Sequence, residues 1–131
     1  MTLRQRPGGL VCRPGLENMT ASPPSKRPYS IEAIEVLADT PALRMTVFTV
    51  GAGEDIPWHW HTNVSDTYFG MEGVTVVETR APAAHIEIGP GQTAVVPPKR
   101  AHHVSGKDGG RCKFAILQGV GTYDFNLVGQ S

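Results

Sequence analysis

The sequence predicts an all-β domain built from antiparallel strands. Fifteen glycines and eleven prolines among 131 residues exceed average usage, and both residue types interrupt helices and favour turns. Short apolar segments recur about every ten residues with turn residues between them, which is typical of a β-sandwich or β-barrel. A chain of this length fits one domain with a single core that needs no disulfide.

Ten segments have a strand-like pattern, and each is followed by a turn signal such as Gly51-Ala52-Gly53 or Gly89-Pro90-Gly91. The predicted strands are Ser30–Val36, Leu43–Val50, Ile56–His61, Thr67–Met71, Val74–Thr79, Ala84–Ile88, Gln92–Val96, His102–Ser105, Cys112–Leu117 and Thr122–Leu127. The stretch Glu32–Ala38 fits one helical turn about as well as a strand.

The two ends of the chain differ in composition. Residues 1–28 are rich in Pro, Gly and Arg without a sustained period, so we predict an arm or tail with little order of its own. Residues 29–131 are predicted to form the single barrel domain.

Charge and composition exclude several function classes. Twelve basic and twelve acidic residues give a net charge of zero, which argues against a nucleic-acid partner, since such modules have a basic face. No run of 18 apolar residues exists, so no membrane association is expected. Cys12 and Cys112 are interpreted as free thiols, and no secretory leader is recognised, so a cytoplasmic location is predicted.

Two histidines, His59 and His61, lie on one predicted strand. Because side chains alternate faces along a strand, both imidazoles point the same way, about 7 Å apart along the chain, while Trp58 and Trp60 point the other way. Histidine is the commonest metal ligand, so this pair can converge on one ion. A turn after His61 could return Asp66 alongside and add a hard oxygen ligand.

A second histidine pair follows a Pro97-Pro98 turn. Alternation allows only one of His102 and His103 to face the interior of the barrel. The residues alone leave open which of the two histidines faces inward and adds a third imidazole.

These two segments resemble the two sequence motifs of the cupin family over residues 43–118. The first motif, G-x5-H-x-H-x3–4-E-x6-G, is matched by Gly53, His59, His61 and Gly73, with Asp66 at the glutamate position. The second motif, G-x5-P-x-G-x2-H-x3-N, is matched by Gly91, Pro97 and His102, with Lys99 at the glycine position and Gly106 at the asparagine position.

The resemblance implies an antiparallel double-stranded β-helix, or jelly-roll barrel, and a homodimer. It also implies one divalent metal ion held by His59, His61, His102 and Asp66. Iron or manganese is favoured, and Ni, Zn or Co are alternatives. Aspartate is one methylene shorter than glutamate, so Asp66 could bind the metal directly, through a water, or not at all.

The function implied by the resemblance is a metal-dependent enzyme that acts on a small organic molecule. The most concrete version is a dioxygenase-like oxidoreductase in which Tyr68 or His103 moves protons. A redox-neutral lyase, isomerase or decarboxylase and a non-catalytic module that binds a small ligand are the alternatives.

Other polar residues have plainer interpretations. Tyr68 also fits simple core packing, His85 fits an ordinary strand histidine, and Cys112 fits a small buried hydrophobe. Four basic residues are expected to be solvated, with Arg100 as a candidate for contact with an anionic substrate: Arg44, Arg80, Lys99 and Arg100.

Overall fold

A computed structural model describes residues 28–129 of the chain. The predicted arm, apart from Pro28, and Cys12 lie outside these residues. The described part contains ten strands: β1 Ala33–Asp39, β2 Leu43–Val50, β3 Asp55–Trp60, β4 Ser65–Glu72, β5 Thr75–Thr79, β6 Ala84–Ile88, β7 Thr93–Val96, β8 His102–Gly106, β9 Cys112–Gly119 and β10 Asn126–Leu127. A short 3-10 turn, Lys107–Gly109, precedes β9.

The strands form two five-stranded antiparallel sheets that pack face to face. One sheet has the order β1-β2-β9-β4-β7 and the other has the order β10-β3-β8-β5-β6. Apart from the consecutive pairs β1-β2 and β5-β6, neighbouring strands in each sheet are not consecutive along the chain, as in a jelly roll. The prediction of an all-β double-stranded barrel is therefore confirmed. Within the described residues no helix has the length and hydropathy that a bilayer crossing requires.

The core lies between the sheets and is filled by inward-facing side chains. Tyr68, Phe114 and Ile88 are the bulkiest of the apolar side chains that are completely buried there. Cys112 is fully buried as well, and this burial raises the pKa of its thiol. Its environment agrees with the interpretation of Cys112 as a small buried hydrophobe.

The first and last strands differ most from the prediction. The helical turn considered for Glu32–Ala38 is wrong, because β1 occupies Ala33–Asp39 and its exposure alternates along the strand. Ile34 pairs with Phe48 of β2, which settles the period as two. At the other end β10 has only two residues, and the segment before it is irregular.

The turn after Pro97 shows how the chain accommodates a lysine at a glycine position. Lys99 has a φ of 67°, in the left-handed region that favours glycine. Its backbone N–H donates to the His61 carbonyl oxygen at 2.7 Å. This hydrogen bond ties the turn before β8 to the residue that follows β3, so both histidine segments are held together.

Candidate metal centre

Four buried side chains meet between the two sheets. His59 lies on β3 and pairs with His102, the first residue of β8. His61 follows the end of β3, and Asp66 lies on β4 of the opposite sheet. One potential ligand atom from each residue lies within 4.8 Å of all the others, and all four side chains are buried. The structure thus brings together the four residues predicted as metal ligands, and this group could hold a metal ion.

Backbone carbonyls fix the orientation of all three imidazoles. The Nδ1–H groups of His59, His61 and His102 donate to the carbonyls of Pro57, Asp124 and Arg100 at 2.7, 2.6 and 2.8 Å respectively. Because a carbonyl oxygen only accepts, the proton of each neutral ring resides on Nδ1. Every Nε2 is then left with a lone pair for the centre of the cluster, which is the orientation that metal-binding histidines adopt.

Asp66 supplies the one carboxylate of the cluster. Its Oδ2 lies 3.0 Å from Nε2 of His102 and 3.2 Å from Nε2 of His61. Tyr68 donates its hydroxyl proton to the same oxygen at 3.2 Å, while the Gln118 amide donates to Oδ1 at 3.0 Å. Both carboxylate oxygens are therefore oriented, with Oδ2 turned to the histidines.

The donor set fits a divalent transition-metal ion. Three neutral nitrogens and one carboxylate oxygen would face one another with lone pairs only, and a shared cation is what makes such a contact favourable. Adjacent donors about 2.1 Å from one ion are separated by roughly 3 Å. The separations of Asp66 Oδ2 from His61 and His102, 3.2 and 3.0 Å, match this spacing.

The side chains of the metal-free cluster differ in the direction of their pKa shifts. Burial raises the pKa of Asp66, but hydrogen bonds from His102 and His61 outweigh it and hold that pKa well below its usual range. Burial, with the neighbouring His102, lowers the pKa of His59 to about 3. For His61, burial lowers the pKa, but the Asp66 carboxylate more than reverses this effect and the pKa is raised. Without a metal, Asp66 is thus an anion that shares a proton with neighbouring imidazole.

Tyr68 is a fully buried neighbour of the cluster. Burial and then the Asp66 charge raise the pKa of its hydroxyl well above the ordinary value. The tyrosine therefore stays protonated at neutral pH and acts as a hydrogen-bond donor to Asp66. Its ring also packs on Phe114, with centroids 5.7 Å apart, so the packing interpretation holds beside the polar one.

The cluster forms one wall of a narrow cavity. Phe48, Ile56, Val104 and Ile116 give the cavity its apolar walls. Aromatic residues from outside the strands complete its lining: Tyr29, Tyr123 and Phe125. Phe125 stacks on the His59 ring, with centroids 4.3 Å apart. About 10 Å³ is open to the centre of a water molecule, which is room for roughly one ion or water.

His103 lies away from the cluster. Its side chain is on the outer face of the β3-β8-β5 sheet, stacked on Trp58 with centroids 5.6 Å apart. Nε2 lies 2.7 Å from an Asp55 carboxylate oxygen, and Nδ1 lies 3.4 Å from a Glu78 oxygen. Alternation along β8 is the reason, because His102 takes the inward position. The catalytic role predicted for His103 is therefore not supported by its position.

His85 is exposed and pairs with Glu87, also outside the cluster.

Several residues near the cluster were not predicted from the sequence. Gln118 extends the inward alternation of β9, but the predicted strand ended one residue too early to include it. Asp124, Tyr123 and Phe125 lie in the predicted strand Thr122–Leu127, which is wrong there, because only Asn126–Leu127 forms a strand and the preceding residues are irregular. Arg44 was expected to be solvated. Instead it is only partly exposed, and its Nε is buried without a hydrogen-bond partner.

Comparison with known proteins places this fold and cluster in context. The sequence profile of the family described as the cupin domain matches residues 46–124, which is more than half of the chain. No curated protein matches the chain in sequence.

Solved structures share the fold at low sequence identity. A cupin superfamily protein from Desulfitobacterium hafniense is 20% identical with a TM-score of 0.60, and the match covers 67% of this chain and 76% of that one. An oxalate oxidase is 16% identical with a TM-score of 0.63, over 73% of this chain and 54% of the other. A DMSP lyase structure is 24% identical with a TM-score of 0.61, over 72% and 51%. The matched part thus spans about half the length of the last two proteins.

Proposed function

This chain belongs to the cupin domain family, and on that premise we propose that it is a metal-dependent enzyme acting on a small organic molecule. His59, His61, His102 and Asp66 hold one divalent ion in this proposal. Iron or manganese is favoured by the mixed nitrogen and oxygen donors, with Ni, Zn or Co as alternatives. A dioxygenase-like oxidation is the reaction that we put forward first.

One observation carries the proposal. Three buried imidazoles each commit Nδ1 to a backbone carbonyl and leave Nε2 for a common centre, next to the Asp66 carboxylate. Nε2 of His61 and of His102 lies 3.2 and 3.0 Å from the same Asp66 oxygen, so the atoms that would bind an ion already converge on one point. A backbone hydrogen bond at Nδ1 raises ligand basicity and fixes the tautomer for a metal.

The residues of the chain divide the work at such a site. Asp66 neutralises one charge of the ion, and Gln118 and Tyr68 hold the carboxylate in place. When bound, the ion supplies Lewis acidity and, for iron or manganese, redox chemistry. Four protein ligands leave two positions of a six-coordinate ion for a substrate oxygen and a second group.

The surrounding side chains control access to these positions. Phe125 and Tyr123 line the cavity beside the histidines, together with four apolar wall residues. In this conformation only a group of water size fits beside the histidines. We therefore expect a small substrate, or displacement of the aromatic residues when a larger one binds.

An oxalate oxidase and a DMSP lyase share this fold, and their names indicate small-molecule substrates. At these identities they support the fold and not a substrate. One of the two proteins is an oxidase and the other is a lyase, so an oxidation and a redox-neutral lyase reaction are both candidate reactions for this chain.

Elemental analysis of the purified full chain tests the metal claim. We expect close to one transition-metal ion per chain in the wild type, and loss of most of it in His61→Ala. The matched control is His85→Ala, since His85 is exposed and outside the cluster, and it should keep the metal. Metal-free wild type that also fails to take up Fe(II), Mn(II) or Zn(II) would sink the proposal.

Oxygen uptake then separates the reaction types. The Fe(II)- and Mn(II)-loaded protein is incubated with diketones, catechols and small carboxylic acids in an oxygen-electrode cell. Substrate-dependent oxygen consumption that is absent in His61→Ala supports the oxidase or dioxygenase reaction. Turnover without oxygen consumption would replace it by the lyase or isomerase alternative, and tight binding without turnover would indicate a binding module.

A further inference from the structure

Two polar atoms on the strand that carries Phe48, a wall residue of the cavity, are buried without a hydrogen-bond partner. They are Nε of Arg44 and Oγ1 of Thr46, both on β2. Thr46 has no exposed surface at all, and Arg44 makes no hydrogen bond or ion pair with another described residue. Buried polar atoms are nearly always hydrogen-bonded, so an unpaired donor next to a pocket indicates a missing ligand group.

The strand pairing places Arg44 and Thr46 on the same face of the sheet as residues of the metal cluster and its cavity. Arg44 pairs across the sheet with Gln118, which pairs in turn with Asp66. Directly paired residues of adjacent strands share a face, so Arg44 belongs to the row that reaches the cluster. Two strand spacings, about 10 Å, separate its backbone from that of Asp66. Thr46 pairs with Ile116, a wall residue of the cavity.

The guanidinium of Arg44 lies next to an aromatic residue that lines the cavity. Its central carbon sits 4.6 Å from the centre of the Tyr123 ring, and Tyr123 packs against His61 with centroids 5.4 Å apart. One aromatic ring therefore contacts both the arginine and the cluster. The described residues that line the cavity include no lysine or arginine, so Arg44, in contact with Tyr123, is the nearby basic group available to an anion.

We infer that Arg44 and Thr46 form the subsite for the carboxylate of a small carboxylic-acid substrate. The Nε–H edge of a guanidinium binds a carboxylate through two parallel hydrogen bonds, and the Thr46 hydroxyl donates a third. A second oxygen of the same molecule, a keto or hydroxyl group, faces the histidines. The inference rests on the proposed function for that second contact only, because the anion subsite consists of Arg44 and Thr46.

Charge in the closed site agrees with an anionic ligand. The three histidines are neutral when they bind a metal, so a divalent ion and Asp66 leave one positive charge. Arg44, which is only partly exposed, adds a second positive charge in the same row of the sheet, and its paired neighbour on the other side, Asp39, is exposed to solvent. A monocarboxylate reduces this excess, whereas a neutral diketone of equal size does not.

Calorimetric titration with pyruvate and with pyruvamide tests the subsite, because the second compound keeps the two carbonyls and the size of pyruvate and lacks the charge. We expect the metal-loaded wild type to bind pyruvate at least about tenfold more tightly than pyruvamide. Arg44→Met should weaken pyruvate binding about 10- to 100-fold and leave pyruvamide binding unchanged. Arg44→Lys keeps the positive charge but cannot form two parallel hydrogen bonds, so its pyruvate affinity should lie between those of the wild type and Arg44→Met. This variant replaces Arg44→Met as the test if Arg44→Met does not fold.

The matched control is Arg80→Met. Arg80 also lies over an aromatic ring, 4.1 Å from the centre of Trp58, but it is exposed and Trp58 stacks on the outward-facing His103. Its replacement should leave pyruvate affinity unchanged. Equal binding of both compounds by the wild type, absence of pyruvate binding, or equal weakening by both arginine variants would each overturn the inference.

Thr46→Val provides a second readout that a structural threonine would not give. Because Oγ1 has no partner in the free protein, the melting temperature should not fall, while pyruvate affinity drops several-fold. A lower melting temperature with unchanged pyruvate affinity would overturn the role of Thr46. Metal content is measured on every sample: pyruvate binding that depends on Arg44 in metal-free protein supports the subsite even if the metal proposal fails.

Discussion

Oδ2 of Asp66, on one sheet, lies 3.0 Å from Nε2 of His102, on the other. This contact is the shortest link between the carboxylate and the histidines, and it joins the two halves of the barrel at the cluster. We expect Asp66→Asn, which keeps the shape and removes the charge, to weaken metal binding by at least about tenfold. Titration of metal-free protein with Mn(II) measures the change. Unaltered affinity would show that the carboxylate is not a ligand.

Gln118→Leu should destabilise the protein by removing the only amide donor to Asp66 Oδ1 in the described region. The amide is buried, and its hydrogen bond to the carboxylate is 3.0 Å long. Leaving that oxygen unpaired costs about 1.5–3 kcal/mol in the free energy of unfolding, measurable by urea denaturation. Gln92→Leu is the control, since Gln92 is exposed in a turn, and a loss as large as that of Gln118→Leu would contradict the argument.

The stability of the metal-free protein should decrease in acid. His59 has a pKa of about 3 in the folded protein and 6.5 as its ordinary value. Between these values the unfolded chain binds a proton that the folded chain does not, so folding is favoured at higher pH and lost as pH falls. One such proton gives a slope of about 1.4 kcal/mol per pH unit.

Urea denaturation of chelator-treated protein from pH 6.5 to 4.5 measures this slope. His59→Leu should flatten it, whereas His85→Leu, at an exposed position, should not. The raised pKa of His61 acts in the opposite direction, because its contribution is present below pH 6.5 and is lost as pH rises through the raised value. A maximum of stability near neutral pH follows, and equal slopes in both variants would contradict the assignment to His59.

Most of the fold follows from local patterns in the sequence. Period-two alternation and Gly or Pro turns identified nine strands, and the tenth, predicted at Thr122–Leu127, is a strand only at Asn126–Leu127. The pair His59 and His61 could be placed on one face because alternation is a property of a single strand. Helix and strand were not separable at Glu32–Ala38, since seven residues fit either period. Pairing with β2 decides that segment, and pairing is a tertiary interaction.

The surroundings of the cluster depended on contacts that no local pattern encodes. Gln118 reaches Asp66 from a strand 52 residues away in sequence, and the Asp124 carbonyl orients His61 from an irregular segment. Arg44 looks like any surface arginine until the register places it beside Gln118. Metal ligands that follow a fixed sequence spacing can be predicted from the sequence. The groups that orient those ligands come from distant segments and can be identified only in the folded barrel.

His103→Gln should leave both metal content and turnover unchanged. The His103 side chain is on the outer face, and its partners Asp55 and Glu78 are 54% and 45% exposed. Ion pairs this exposed contribute less than about 1 kcal/mol to stability. His102→Gln is the paired comparison and should lose the metal. Loss of turnover in His103→Gln with the metal retained would restore the proton-moving role predicted from the sequence.

Tyr68→Phe should separate metal affinity from catalysis. The variant keeps the ring packed on Phe114 but loses the hydroxyl that donates to Asp66 Oδ2 at 3.2 Å. Because groups that orient a ligand typically change metal affinity 10- to 100-fold, we expect Mn(II) affinity to fall by about tenfold or more. At saturating metal kcat should be unchanged, since the raised pKa of Tyr68 keeps it a protonated partner of Asp66. A lower kcat in fully loaded Tyr68→Phe would instead identify the hydroxyl as a group that acts on substrate.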